Sequence, residues 1–344
     1  MPELDTIAQT AERILNADPD PVVRFRLLRD VLNHPPDTKQ LQEAGERLET
    51  SRWVRQLGDE QWSDGSWGRL HSRDSGARQK IPNTEAGVER ALALGLDADH
   101  PVLRRASRYI VCVLDGTIKL RDRAEKNDRW PTGWRLFAAS TLAQIQPHHP
   151  VLDSIWELWL TVARRTFASG AYDLQAEIRC HRELTGASVA DSYLALNNKY
   201  TLTLLGSRAD ALPRDLEAAL FDWVWHNEGG VRYLGETPGI VPGSLQAAKL
   251  DRWLRCLELL SSFPSWGCRA QGAIRWLWEQ QAGDGLWDFG RAANSVCLPL
   301  SESWHRHTAR PFDWTTRVLH LLRRYHRRED EPLGILVCVN NGDD

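Results

Sequence analysis

The chain has 344 residues, 42% hydrophobic and 26% charged, a balance that excludes a disordered protein and supplies enough apolar side chains for a large core. A net charge of −3 and a pI near 6.4 exclude a global basic field that would recruit nucleic acid or anionic lipid. No window holds the roughly 20 consecutive apolar residues of a membrane span. The first residues, MPELDTIAQTAERI, carry acids and no apolar segment, so no signal peptide is expected. The cysteines at 112, 180, 256, 268, 297 and 338 are scattered without CxxC spacing, the pattern of reduced thiols in a cytoplasmic protein.

In chain order, LDTIAQTAERIL and DPVVRFRLLRDVL predict a first helix pair within 1–36. From 37 to 328 one unit repeats. Around Trp53 the chain reads WVRQLGDEQWSDGSWG, and near Trp276 it reads RWLWEQQAGDGLWDFG. Each places Gln (Gln61, Gln281) before Gly-x-Trp (Gly65 to Trp67, Gly285 to Trp287). Weaker copies carry Gly116, Gly170 with Tyr172, and Gly230 with Tyr233. The marker glycines are 51, 54, 60 and 55 residues apart, so one register holds through most of the chain.

After each marker comes a polar loop and then a second, more apolar helix. These are predicted over 83–96, 133–145, 189–206, 244–260 and 312–325, with apolar residues recurring at three and four and no strand-like alternation. Alternation of a striped helix with one apolar nearly all round predicts an outer and an inner layer. The segment 329–344, including GILVCVNN, is β-rich and expected to pack on the rim. Residues 1–344 therefore read as a single all-α domain of six helical hairpins.

The Gln-x(3)-Gly-x-Trp element resembles the QW repeat of squalene–hopene cyclases and related terpenoid cyclases. The resemblance covers about residues 40–325 and fades in the middle copies, where Leu114 and Arg164 stand near the expected Gln. It implies an α/α toroid, a fold shared with protein prenyltransferase β-subunits, whose inner helices surround an apolar cavity. It implies isomerase or lyase chemistry on an isoprenoid-like substrate. The DxDD motif of the family is absent; Asp97 and Asp99 fit a turn instead. DDxxD and zinc-ligand patterns are absent too, so no metal and no cofactor are expected.

If every inner helix follows its loop in the same sense, all their N-termini point to one end. There the loops 68–82, 173–188, 234–243 and 288–311 would form the mouth. Acids near inner-helix starts are Glu85, Asp191, Asp251 and Asp313. Each fits a helix-dipole role. Asp313 and Asp191 adjoin Trp314 and Tyr193 and are the candidates for a proton donor. Trp134, Tyr193, Tyr200, Trp253, Trp304 and Trp314 are candidates for an aromatic wall that stabilises a carbocation, with ordinary core filling as the competing role. His305 and His307 are candidates for substrate contact at the mouth, or plain surface residues.

The expected function is acid-initiated carbocation cyclisation of an isoprenoid or similarly apolar substrate. One alternative is a non-catalytic toroid that binds an apolar ligand or a protein partner. Another is a hydrolase or transferase using the mouth histidines. Peripheral membrane contact is compatible with each of these readings.

Overall fold

All five marker glycines adopt the left-handed conformation, with φ of 93°, 85°, 85°, 65° and 71° at Gly65, Gly116, Gly170, Gly230 and Gly285. A side chain costs roughly 1–2 kcal/mol in that conformation, so glycine recurs where each first helix must turn sharply. The register in the sequence is thus a repeated backbone geometry. The computed structural model describes residues 2–74, 77–188, 192–292 and 294–330. Among them there is no strand, and extended pairing is limited to the isolated bridges Asn198–Arg232 and Val231–Glu236. The rim segment expected over 329–344 lies almost wholly outside the described residues.

The chain begins with α1 (Pro2–Asn16), α2 (Pro21–Arg26), a π-helical turn over Leu27–Val31, and α3 (Lys39–Glu49). The first repeat pairs α4 (Arg52–Glu60) with α5 (Thr84–Ala93), and the second pairs α6 (Pro101–Leu114) with α7 (Trp130–Ala143). The third comprises α8 (Asp153–Thr166), α9 (Leu174–Thr185) and α10 (Lys199–Gly206). The fourth pairs α11 (Arg214–His226) with α12 (Ala247–Leu260). The last runs through α13 (Trp266–Arg269) and α14 (Gln271–Glu279) to α15 (Arg310–Asp330). The contrast between first and second helices holds at its extremes. Six of the eight residues of α10 are buried against two of the nine in α4, so α10 lies in the interior and α4 at the surface.

Two expected boundaries are corrected in the third repeat. The segment 173–188, read as a mouth loop, contains α9, started by Asp173 accepting from the N–H groups of Gln175 and Ala176 and ended by left-handed Gly186. The second helix expected over 189–206 is short. Asn198 caps it, accepting from Tyr200 N at 2.7 Å and Thr201 N at 2.9 Å, so the helix starts only at Lys199.

The first and last repeats share one set of contacts. Gln61 donates to the Gly65 carbonyl at 2.8 Å, and Gln281 to that of Gly285 at 2.9 Å. The Trp67 indole donates back to Leu57 O at 3.0 Å, and Trp287 to Leu277 O at 2.7 Å. Their backbone N–H groups meet Thr84 and Thr315, each in the first turns of the following helix. The ring of Trp67 lies flat on Gly87, where a Cβ would come within 2.4 Å of it. Gln and Trp therefore fasten the turn to both helices of the pair.

The N-terminal helices join the two extremes of the repeat array. α1 and the π-helical turn pack on α15. Arg26 donates to Ala93 O at the end of α5 (2.6 Å) and lies 2.9 Å from His320 Nδ1 on α15, while Arg29 donates to Gly95 O. These guanidinium groups satisfy carbonyls that the end of α5 leaves without helical partners.

Candidate functional site

One cavity of about 500 Å3 is walled by α5, α7, α10, α12 and α15 together. It extends from Lys199, the first residue of α10, and Arg317, in the first half of α15, past Leu92, Ala143 and Leu259, to Gln144, Pro147 and Ser262 just beyond helix ends. Val296, Cys297 and Leu300, from the long loop before α15, complete the wall. Of the four loops expected at the mouth, 234–243 contributes Leu234 to the wall and 288–311 contributes Val296, Cys297 and Leu300. In loop 68–82, residues 70–72 are held by Asp122, which accepts from Leu70 N, His71 N and Ser72 N at 2.7, 3.1 and 2.6 Å.

Seven charged side chains, Arg26, Glu89, Lys199, Arg255, Glu258, Arg317 and Arg324, stand in the cavity wall. Lys199 Nζ lies 2.5 Å from Glu85 and 2.7 Å from Glu89, and Arg255 reaches Glu89 at 2.7 Å. Arg317 meets Asp251 at 2.5 Å and Glu258 at 2.6 Å. Arg26 meets Asp30 at 2.7 Å. Burial would raise the Glu85 pKa, but Lys199 and His71 hold it down at about 2. Burial would lower that of Lys199, and the two glutamates raise it instead. Burial and the neighbouring Arg26 depress the His320 pKa to about 3, so this imidazole is neutral. Its Nδ1 then accepts from Arg26, and the proton resides on Nε2. Burial pushes the Cys297 thiol up to about 11, so it is protonated at neutral pH.

Behind Lys199 lies a second cluster. His71 Nδ1 is 2.8 Å from Glu85, Tyr200 donates its hydroxyl to Glu85 at 2.8 Å, and the His71 ring stacks on Phe137 with centroids 4.1 Å apart. A carboxylate that fixes one imidazole nitrogen orients the ring for acid–base chemistry at the other. The cavity of about 500 Å3 is not lined by His71.

The residues singled out in the sequence fall elsewhere. Asp313 is buried, accepting from Leu300 N at 2.9 Å, Ser301 N at 3.0 Å and the Ser301 hydroxyl at 2.5 Å. It thus fastens the preceding loop rather than capping its own helix, and burial raises its pKa to about 6. With Trp304 and Trp314 it borders a void of only about 20 Å3. Asp191 lies outside the described residues.

None of the six aromatic candidates lines the large cavity. Several of them place their polar groups on internal acceptors. Trp314 donates to Gly290 O at 2.8 Å, Trp253 to Pro238 O at 3.2 Å, and Tyr193 to Glu125 and Asn127 at 3.0 Å. Trp253 also packs edge-on against Trp276, Trp134 joins the core from its edge, and Tyr200 belongs to the Glu85 cluster. His305 and His307 are exposed. Of the four acids, Glu85 and Asp251 contact cations of the cavity wall.

The cavity residues absent from the sequence reading had a signal. Arg255 and Glu258 follow Asp251 at steps of four and three, and Arg317, His320 and Arg324 follow Asp313 at four, three and four. That spacing draws a polar stripe along one face of the helix. Among the described residues no group of three His, Cys, Asp or Glu side chains is arranged to hold a metal ion, and no helix is long and apolar enough to cross a membrane. Compared with known proteins, the chain matches no family model, no curated protein and no solved structure.

Proposed function

We propose that the helix pairs close into an α/α toroid and that the protein binds a small organic molecule in its central cavity. The observation that carries this reading is the cavity of about 500 Å3, to which all five second helices contribute wall. Its size is that of ordinary ligand sites. Closure is supported by Arg26, which links the end of α5 to α15 across the N-terminal helices. The common Gln–Gly–Trp contacts of the first and last repeats support the likeness to QW-repeat cyclases at the level of the fold.

Binding is better supported than acid-initiated cyclisation. A carbocation 4 Å from a guanidinium group is repelled by about 4 kcal/mol at an effective dielectric constant near 20. The wall presents several such groups, together with the carboxylates Glu89 and Glu258, which would capture the cation. Asp313 does not border this cavity. Native mass spectrometry of the purified protein tests the reading. The expected result is a bound organic molecule that is lost in Ala143→Trp and in the rim variant Gln144→Trp, with melting temperature retained. Wild-type protein free of ligand and without thermal response to a metabolite library would refute it.

A further inference from the structure

The cavity wall carries charges in unequal number. Arg26, Lys199, Arg255, Arg317 and Arg324 line it, against only two carboxylates, Glu89 and Glu258. The carboxylates that balance three of these cations, Asp30, Glu85 and Asp251, stand behind the wall and do not line it. The cavity lining therefore holds more cations than carboxylates, although the carboxylates behind it balance the wider network. A low-dielectric wall focuses the field of its lining charges on whatever enters.

The donors facing the cavity are not all engaged. Arg317 uses all three of its nitrogens on Asp251 and Glu258. Arg255 uses only Nη2, on Glu89, so its Nε and Nη1 have no acceptor among the described residues. Lys199 bonds two carboxylates with three N–H groups. His320, its Nδ1 occupied by Arg26, has Nε2–H as a further donor. A guanidinium fork, an ammonium and an imidazole N–H make a donor set suited to oxyanions. The wall also presents the apolar Leu92, Leu259, Val296, Leu300 and Leu321, beside the neutral polar Gln144, Thr203, Ser207 and Ser262.

We infer that the ligand is a compact amphiphile with a single anionic head, a carboxylate or a phosphate monoester. The head oxygens meet Arg255, Lys199 and His320, and the apolar body packs against the leucines. This inference rests on the cavity being the binding site. An uncharged hydrocarbon would leave those donors desolvated without acceptors, and a cationic amphiphile would oppose the field.

Isothermal titration of the full chain with decanoate, decyl phosphate, decanol and decyltrimethylammonium, all below their micellar concentrations, tests it. The two anions are expected to bind at least about tenfold more tightly than decanol, as hydrogen bonds to charged groups imply, with no binding of the cation. Preference for one anion over the other identifies the head. Arg255→Met should abolish the preference for anions and leave decanol affinity unchanged. Arg255→Lys, which keeps the pairing with Glu89, should show an intermediate preference and serves if the first variant fails to fold. Decanol or the cation binding as tightly as the anions, with all affinities lost in Ala143→Trp, would overturn the anionic head and leave the cavity site standing. Anion binding undiminished by Ala143→Trp, or no binding of any probe, would overturn both.

Discussion

Two regions around the second helices use their polar groups differently. In one, carboxylates bind the protein's own backbone: Asp122 holds residues 70–72, and Asp313 holds 300 and 301. In the other, Lys199 at the start of α10, Arg255 within α12 and Arg317 within α15 border the cavity, and the donors of Arg255 are only partly matched by protein acceptors. The first arrangement fixes loops. The second leaves hydrogen-bonding capacity for a ligand. A strongly shifted titratable group therefore distinguishes the two poorly; what separates them is whether its partners are internal or face a cavity.

The largest test of this contrast concerns Arg317, which borders the cavity. It is 4% exposed and tied to both Asp251 and Glu258. Arg317→Met strands two carboxylates and should lower stability by about 3–5 kcal/mol in urea unfolding. A loss below about 1 kcal/mol would mean that the network behaves like solvated surface pairs. Asp122→Ala, in the loop-fixing region, removes the acceptor of three backbone N–H groups. It should cost about 2–4 kcal/mol, because buried donors are left without partners, and should leave cavity binding unaltered. An altered ligand affinity in that variant would erase the distinction between the two regions.

The marker glycines give a smaller, graded effect. A Cβ on Gly65 would lie 2.3 Å from Arg105 O, whereas one on Gly116 meets nothing within 4 Å. Gly116→Ala should therefore show only the backbone cost of about 1 kcal/mol, and Gly65→Ala about 2–3 kcal/mol. Equal losses would mean that the first turn has no close packing to protect.

Asp313 supplies the mildest test, a slope with pH. Burial raises its folded-state pKa to about 6, above the usual carboxylate range, so the folded form binds a proton more tightly than the unfolded one. Its contribution to stability is present below about pH 4 and is lost as pH rises through 6, at no more than about 1.4 kcal/mol per pH unit. Glu85, held down at about 2, acts oppositely: its contribution is present above about pH 4.5 and is lost as pH falls toward 2. Urea unfolding between pH 4 and 6 should show the Asp313 slope in wild type and its absence in Asp313→Asn. An unchanged slope would assign it to another group.

The sequence by itself determined the helical class, the register of the marker glycines and the fastening of the first and last repeats. Left-handed turns admit few residues besides glycine, and buried Gln and Trp need fixed partners, so both leave a local imprint. The short α10 was legible in principle from Asn198, a strong capping residue placed inside an apolar run. Tertiary structure alone decided which face of each helix meets the cavity. It also decided the fate of the aromatics. An indole on an apolar helix can line a cavity or complete a core, and its N–H settles on whatever carbonyl the fold brings near, as Gly290 does for Trp314. Charges at helical spacing mark a stripe, but Lys199 meets Glu89, 110 positions earlier in the chain, only once the helices are packed.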